Sequence, residues 1–332
     1  MFSGKRILVT GGTGSFGHYI TTKLLSYQPA EILVFSRDEK KQDDMRNEFG
    51  DGKNIRFIIG DVRDRNSLRK AVRGIDYVFH AAALKQVPSC EYNVCEAFQT
   101  NTLGAQNLIE ACLEENVKKV ITISTDKAVK PVNVMGMTKA LQERLFITAN
   151  LEKWNKKTVF ACARYGNVAG SRGSVVPLFK RQIEKGGPIT LTDSRMTRFI
   201  LTLSEAINLA FLAMHQAVGG EIFVPKIPAV NIIELAEVMI KNLSLNKKIN
   251  KKLIGIRPGE EIHEVLISEE EALRTVENGD SFIILPSLNM PKISVAYQGR
   301  RKAKISEYSS QEAKKHSPEE IELMLKEEGW IR

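Results

Sequence analysis

The segment RILVTGGTGSFG, residues 6–17, guides the interpretation of the rest of the chain. An apolar run ends in three glycines, Gly11, Gly14 and Gly17, spaced as G-x-x-G-x-x-G before a helical stretch. In a strand–turn–helix unit, such glycines permit a tight turn, close approach of the backbone to a pyrophosphate, and close helix–strand packing. The first N–H groups of the helix would then face the phosphate oxygens. The segment therefore predicts a dinucleotide-binding unit.

Short apolar runs alternate with amphipathic helical stretches as far as about residue 165. Several of the runs are continuously apolar, as in strands that are buried on both faces. Such alternation predicts an α/β fold of the Rossmann type, a doubly wound parallel sheet with helices on both faces. The strands are predicted at residues 6–10, 31–35, 55–59, 77–80, 120–124 and 159–164.

The pattern changes after about residue 170, where the strand candidates become short and scattered. Helical patterns persist at residues 203–217, 231–242 and 317–328. We interpret residues 1–170 as an NADP-binding domain that also carries the catalytic residues. Residues 171–332 are interpreted as a smaller α/β substrate-binding lobe, closely packed on the first part and partly interleaved with it.

Composition argues against several classes of protein. The formal net charge is +9, but Lys and Arg are spread along the chain, so no nucleic-acid partner is predicted. No apolar run reaches the roughly 18 to 20 residues that cross a bilayer, and no signal-peptide pattern is present. The four cysteines show no C-x-x-C spacing and the five histidines are scattered, so no metal site is predicted. We expect a cytoplasmic protein without membrane insertion.

The end of the second predicted strand, VFSRDEKK at residues 34–41, bears on the choice of cofactor. An NAD site usually has an acidic residue here for the ribose 2′-hydroxyl. Ser36 and Arg37 come first instead, with Lys41 close behind, and a hydroxyl with a guanidinium suits a 2′-phosphate. NADP is therefore favoured over NAD. In the alternative interpretation, Asp38 holds the ribose and Arg37 is a surface residue.

Other cofactor contacts are predicted from position alone. Asp61 and Val62 follow the third strand, where an adenine edge would lie, and small residues follow the fourth strand, where bulk would block the cofactor. The full predicted cofactor set is Gly11, Thr13, Gly14, Ser15, Phe16, Gly17, Ser36, Arg37, Lys41, Asp61, Val62, Ala81, Ala82, Ala83 and Lys139.

Several longer blocks carry a family resemblance. TGGTGSFG, GDVRD, HAAALKQVP, NTLGAQNL, STDKAVKPVNVMGMTKA and RYGNVAGSRGSVVPLF resemble the UDP-N-acetylglucosamine 4,6-dehydratases of polysaccharide biosynthesis, which are extended short-chain dehydrogenases/reductases. The chain is most similar to the capsular polysaccharide CapD and CapE subfamily, and the likeness covers nearly its whole length. The resemblance implies a UDP-sugar substrate, a nicotinamide cofactor that is not consumed, and a homo-oligomer.

The family signature Tyr-x-x-x-Lys is altered in this chain. Met135 stands at the tyrosine position, and Lys139 is retained four residues later. A thioether has no titratable proton, so Met135 cannot act as an acid or a base. Because the same subfamily is known for methionine here, we do not interpret the chain as an inactive enzyme. The resemblance implies that Lys139 hydrogen-bonds the nicotinamide ribose.

The compensating groups are predicted in ISTDKA, at the end of the fifth strand. Dehydration needs a base for the C5 proton and an acid for loss of the C6 hydroxyl, and we assign Lys127 and Asp126 to these roles. A lysine base requires a lowered pKa, for which Lys139 or the nicotinamide would supply the positive neighbour. Thr125 corresponds to the family's Ser/Thr, and the base for the C4 hydroxyl stays open between Lys127 and Thr125. The resemblance implies 5-epimerisation.

Polar candidates for the substrate site come from the resemblance. Asn167 would meet the sugar diphosphate, Arg257 would pair with a diphosphate oxygen, and Glu260 would hold the uridine ribose. Arg198 is a candidate phosphate partner, with a structural salt bridge as the equal alternative. Lys85 is placed with the substrate as well.

Apolar candidates lie in SRGSVVPLF, residues 171–179. This segment resembles the one that packs a uracil ring, with Val176, Pro177 and Phe179 as its wall. Core packing is the alternative role for such side chains.

Three functions remain open from the sequence. The first is 4,6-dehydration of UDP-N-acetylglucosamine, favoured by Asp126 and Lys127. The second is a UDP-sugar 4-epimerase, against which the missing tyrosine counts. The third is a non-catalytic NADP-binding regulatory protein, against which the retained Lys139, Asp126 and Lys127 count.

Overall fold

The computed structural model describes residues 1–50, 54–155, 157–171, 173–244, 248–257 and 259–331. The strands are β1 (Arg6–Thr10), β2 (Glu31–Ser36), β3 (Ile55–Ile59), β4 (Tyr77–His80), β5 (Lys119–Thr125), β6 (Val159–Tyr165), β7 (Asn167–Val168), β8 (Ile189–Leu191), β9 (Thr197–Leu201), β10 (Ile222–Pro225), β11 (Ala229–Asn231), β12 (Lys251–Leu253), β13 (Val265–Ile267), β14 (Thr275–Asn278), β15 (Ser281–Ile284) and β16 (Tyr308–Ser309).

Helices fill the connections between the strands. They are α1 (Ser15–Leu25), α2 (Glu39–Phe49), α3 (Arg65–Val72), α4 (Val87–Tyr92), α5 (Val94–Ala97), α6 (Gly104–Glu114), α7 (Val134–Thr148), α8 (Val175–Glu184), α9 (Leu203–Gln216), α10 (Ile232–Leu243), α11 (Glu269–Ala272), α12 (Pro291–Ala296) and α13 (Pro318–Glu327). A π-helical turn spans Phe98–Leu103, and 3₁₀ turns span Asp126–Ala128 and Ala149–Leu151. Among the residues described, no helix is both long and apolar enough to span a membrane.

Within the described ranges, nine strands form one large sheet in the order β14-β15-β10-β6-β5-β4-β1-β2-β3. The strands from β10 to β3 in this order pair in parallel, whereas β15 and β14 are antiparallel additions at one edge. The order β3-β2-β1-β4-β5-β6 confirms the predicted Rossmann-type doubly wound fold. It also places the reversal of strand order between β1 and β4, where such sheets bind ligands.

Burial explains why the first six strands were recognisable from their composition. In β1, Ile7, Leu8 and Val9 are fully buried, and Val78 and Phe79 in β4 are equally so, because helices cover both faces. Continuous apolar runs are the pattern that such strands require. The bounds of β1, β3 and β4 match the prediction, while β2, β5 and β6 extend it by one residue at one or both ends.

Strands from both sides of residue 170 contribute to the large sheet, since β10, β14 and β15 extend it beyond β6. The three later helices are confirmed as α9, α10 and α13. A second apolar cluster lies among α8, α10 and α13, where Phe179, Leu235, Met239 and Leu325 are buried. The main core cluster also contains residues after 170, among them Phe199 and Phe223, so strands and core residues of the two predicted parts are interleaved, and the division at residue 170 stays a prediction.

Candidate active site

A cavity of about 830 Å³ opens at the carboxyl ends of the parallel strands. Its wall includes residues that follow β1, β2, β4, β5 and β6, and residues from α8, β9 and the loop before β13. The volume falls within the range of about 300–1,000 Å³ that is typical of ligand sites. The cavity therefore lies where the strand order predicts a ligand, between the large sheet and the later part of the chain.

The glycine loop forms one end of this cavity, and its backbone is packed too closely to admit side chains at two of the glycines. Gly11 has φ +65°, and a Cβ on it would lie 2.7 Å from the amide nitrogen of Ala82. A Cβ on Gly17 would lie 2.4 Å from the Cα of Gly12, so α1 packs directly on the loop. Gly14 offers no side chain to cap α1, whose first turn also carries no acidic residue. The backbone N–H groups of this turn thus suit a diphosphate.

The end of β2 brings polar groups to the cavity rim. The Ser36 hydroxyl accepts hydrogen bonds from Thr13 Oγ1 and Gln42 Nε2, both at 3.1 Å. The Arg37 side chain is 56% exposed, and its Nη1 lies 3.7 Å from Asp61 Oδ2. All of these residues except Gln42 line the cavity.

Asp38, the alternative ribose ligand, is engaged by its own helix. Its side chain caps α2 by accepting a hydrogen bond from the Lys41 N–H at 3.0 Å. It also pairs with the Lys41 amine at 2.5 Å. This arrangement favours Ser36 and Arg37 as the polar groups offered to a cofactor.

Thr125, Asp126 and Lys127 lie together on the cavity wall where β5 ends. The Thr125 hydroxyl donates to Asp126 Oδ1 at 2.7 Å, and the Lys127 amine donates to Asp126 Oδ2 at 2.5 Å. The Asp126 side chain is 2% exposed and that of Lys127 is 19% exposed. The pair predicted from the sequence therefore faces the cavity.

A third acidic residue, Glu264, completes this cluster and was not predicted. Its buried carboxylate lies 3.0 Å from the Lys127 amine and accepts hydrogen bonds from Asn167 Nδ2 at 2.8 and 2.9 Å. The Phe199 N–H donates to it at 2.9 Å, and Arg198 Nε lies 3.3 Å away. The signal available in the sequence was the acidic run EEIHE, residues 260–264.

The charge state of Lys127 differs from the prediction. Burial alone would lower the pKa of this amine, but the carboxylates of Asp126 and Glu264 outweigh burial and hold the pKa above its ordinary value. Arg198, rather than Lys139, is the cation that opposes them. The requirement for a lowered pKa is therefore not met in the unliganded site, because two anions surround the amine.

Lys139 is instead the lysine with a lowered pKa. Burial lowers the pKa of Lys139 to about 8, with the Glu143 carboxylate acting in the opposite direction. Its amine donates to the Ile123 carbonyl at 2.6 Å and to Gln142 Oε1. The side chain lines the cavity beside the ends of β5 and β6.

Helix α7 holds Met135 and Lys139 against the Asp126–Ala128 turn. A Cβ on Gly136 would lie 2.1 Å from the Lys127 carbonyl oxygen, so glycine is needed at this contact. Asn133 caps the helix by accepting from the Gly136 N–H at 2.8 Å. Met135 is 5% exposed, packs with Cys90 and Ala97, and reaches the cavity wall.

The predicted polar substrate residues all reach the cavity, but the Arg198 guanidinium is bound by several protein groups. Lys85, Asn167, Arg257 and Glu260 line its wall. Arg198 lines it too, yet its Nη1 donates to the carbonyls of Thr197 and Ile262, and its Nη2 to the Glu261 carbonyl. With Nε 3.3 Å from Glu264 as well, the guanidinium has several protein partners, which favours the structural salt bridge, the alternative given for Arg198 from the sequence.

The structure brings part of the predicted apolar wall to the cavity. Phe179 lines the cavity, but Val176 and Pro177 do not, and Val176 is buried in the core cluster around α8. The side chains that reach the cavity from this helix are Val175 and Leu178. Residues three or four apart share one helix face, so Val176 goes with the core face that Ile183 also occupies.

Glu261 is a second cavity residue that sequence reasoning missed. Burial raises the pKa of its carboxyl to about 7, with Lys127 opposing and Asp126 reinforcing the shift. A carboxyl with such a pKa can gain or lose a proton near neutral pH. The site thus holds Asp126, Glu261 and Glu264 around Lys127 and Arg198.

Comparison with known proteins places this site in context. The polysaccharide biosynthesis protein family matches residues 7–286. A UDP-N-acetylglucosamine 4,6-dehydratase (inverting) of Campylobacter jejuni is 48% identical over 292 residues, 87% of this chain and 85% of that protein. A UDP-glucose 4-epimerase of Rickettsia canadensis is 43% identical over 333 residues, 98% of this chain and 96% of that protein. The X-ray structure of Pen from Bacillus thuringiensis superimposes with a TM-score of 0.93 at 40% identity, and all of both chains is covered.

Proposed function

Because this chain belongs to the polysaccharide biosynthesis protein family of extended short-chain dehydrogenases/reductases, we propose that it is an NADP-dependent 4,6-dehydratase of UDP-N-acetylglucosamine. Family membership supports an enzyme that acts on a nucleotide sugar. The observation that carries the specific reaction is the Asp126–Lys127 pair on the cavity wall, since plain oxidation of a hydroxyl does not need it.

The glycine loop, Ser36, Arg37 and Lys139 are the groups that would hold the cofactor. NADP⁺ held there would supply reversible hydride transfer with the sugar, so that none would be consumed. Gly11 packs so closely on Ala82 that it cannot carry a side chain. A loop without side chains lets its backbone approach a pyrophosphate. The 2′-phosphate would be met by Ser36 and Arg37 because Asp38 is occupied as a helix cap.

The chain's own contribution is acid–base chemistry at C5 and C6. The 4-ketone acidifies the C5 proton, Lys127 accepts that proton, and Asp126 supplies the one that leaves with the C6 hydroxyl as water. Transfer of one proton from the Lys127 amine to Asp126 Oδ2, across 2.5 Å, produces the neutral amine and neutral acid that these roles need. Return of a proton to C5 from the opposite face would invert that centre.

A 4-epimerase is the second candidate, and the name of the Rickettsia relative favours it. Epimerisation requires a base for the C4 hydroxyl but no group for water loss. Met135 cannot be that base, and Asp126, assigned as the acid for water loss, would have no task. A non-catalytic NADP-binding protein would likewise have no use for the charged cluster that faces the cavity.

Incubation with UDP-N-acetylglucosamine separates these functions by mass. We expect a product lighter by one water, without net reduction of added NADP⁺, because hydride leaves C4 and returns to C6. An unchanged mass with a new sugar stereoisomer would establish epimerisation instead. Unaltered substrate in the presence of bound NADP would count against both reactions.

Replacement of Arg37 by alanine tests the choice of cofactor. Charge-assisted hydrogen bonds contribute about 1.5–3 kcal/mol, so NADP affinity should fall about 10- to 150-fold while NAD affinity stays unchanged. Arg56→Ala is a suitable control, because this guanidinium pairs with Glu31 on the surface. Calorimetric titration of both cofactors would measure the effect. Equal losses for NADP and NAD would contradict recognition of the 2′-phosphate by Arg37.

A further inference from the structure

Glu264 is held in place by groups from several parts of the fold. Asn167, Arg198 and the Phe199 N–H all bind its carboxylate, at 2.8 to 3.3 Å. Its own N–H donates to Ser310 Oγ at 2.8 Å, which fixes the backbone just before β13. The carboxylate is therefore an anchor whose position does not depend on Lys127.

Lys127, by contrast, depends on its carboxylate partners for its position. A lysine amine ends a flexible four-carbon stem and has no preferred direction of its own. Asp126 is adjacent in the same turn, whereas Glu264 is 137 positions away in the sequence and binds the amine from the other part of the chain. Two carboxylates from different elements restrain the amine at one point of the cavity wall.

The charged groups around this amine come from three elements. Asp126 lies in the 3₁₀ turn after β5, Arg198 in β9, and Glu261 and Glu264 in the segment before β13. Asp126 and Glu264 favour the protonated amine, and Arg198 disfavours it. Removal of the Glu264 charge would leave Asp126 and Arg198 with opposing effects on the same proton.

We propose that Glu264 is the positioning residue of the acid–base pair, which fixes the Lys127 amine beside Asp126 and favours its protonated form. The inference rests on the proposed function for its chemical meaning. The carboxylate itself takes part in no bond-breaking step, and acts through Lys127.

The direct test is the pH dependence of Lys127 labelling by trace acetic anhydride, read by peptide mass spectrometry in Glu264→Gln. This reagent reacts with the neutral amine and needs no substrate. We expect the labelling midpoint of Lys127 to fall by about one pH unit or more, because an opposite charge at this range shifts a pKa by about 1–3. Glu312→Gln, a change at an exposed glutamate, should leave the midpoint unchanged.

Turnover provides the second measurement. In Glu264→Gln, kcat should fall while NADP affinity stays unchanged, because the Lys127 amine is no longer held beside Asp126 from the other side. A folded variant with the wild-type labelling midpoint overturns the proposal. If Glu264→Gln does not fold, Glu264→Asp replaces it, because aspartate keeps the charge on a shorter side chain. This variant should lower the labelling midpoint of Lys127 by a smaller interval, and an unchanged midpoint overturns the proposal.

Failure of the proposed reaction can be distinguished from failure of the proposed role of Glu264. Absence of dehydration together with a shifted midpoint would reject the proposed reaction and retain the role of Glu264 toward Lys127. Normal dehydration with an unshifted midpoint would reject the role of Glu264 alone.

Discussion

Replacing Lys127 with alanine is expected to reduce turnover of UDP-N-acetylglucosamine by about 100- to 10,000-fold, the usual contribution of a positioned acid or base. The Lys127 amine is the group assigned to accept the C5 proton. The variant also removes the cation that pairs with the carboxylates of Asp126 and Glu264. NADP affinity should be unchanged, because the glycine loop, Ser36 and Arg37 lie after other strands. Mass analysis of the product and calorimetric titration of NADP would measure the two quantities.

Lys130→Ala is the matched control for this variant. Lys130 lies three positions further on but pairs with Glu269 and Glu307, and its side chain is 47% exposed. Turnover by the control should equal that of the wild type. Near-normal turnover by Lys127→Ala would remove Lys127 from the base role, and loss of NADP affinity would show that the change had disturbed the fold instead.

Replacing Arg164 with methionine is expected to lower the free energy of unfolding by about 3–5 kcal/mol, the cost of breaking a buried ion pair from one side. The Arg164 side chain is 1% exposed and binds two carboxylates, those of Glu143 in α7 and Glu271 in α11. It also donates to the Leu266 carbonyl in β13 at 2.9 Å. The change would leave two buried anions without their cation at the junction between the large sheet and the later lobe.

A surface arginine with a similar pair of partners provides the comparison. Arg65 binds Glu110 and Glu114, both at 3.0 Å, but its side chain is 54% exposed. Arg65→Met should cost about 0–1 kcal/mol. Adding Glu143→Gln and Glu271→Gln to Arg164→Met should recover part of the loss, because the uncompensated charges are removed. Urea-induced unfolding measures all three, and equal losses for Arg164→Met and Arg65→Met would contradict the prediction.

The loss of unfolding free energy in Arg164→Met should also depend on pH. Burial alone would raise the pKa of Glu271, but Arg164 holds this pKa at about 2, below its value in the unfolded chain. The ion pair therefore stabilises the protein above about pH 4, and this stabilisation is lost as the pH falls toward 2. Without Arg164, burial raises the pKa of Glu271. Protonation of Glu271 then removes the uncompensated charge and reduces the destabilisation of the variant as the pH falls. The difference between wild type and Arg164→Met should be smaller at about pH 5 than at about pH 7.

The local pattern of the chain was sufficient to predict its dinucleotide-binding part. Strands β1 to β6 and the glycine loop were predicted correctly because continuous apolar runs and glycine spacing are properties of neighbouring residues. Asp126 and Lys127 were placed at the site for the same reason, since the end of a parallel strand is a defined position in such a sheet. The choice between cavity wall and core for Val176 and Pro177 stayed open, because it depends on what α8 packs against.

By itself, the sequence predicted the succession of strands along the chain, the glycine loop, the loss of the tyrosine at Met135, and the charged pair after β5. Only the tertiary structure decided what surrounds that pair. Glu264 reaches Lys127 across 137 positions, and Arg164 reaches Glu271 across 107. The physical reason is that proton affinity depends on burial and on charges a few ångströms away, and in this fold those charges come from distant parts of the chain.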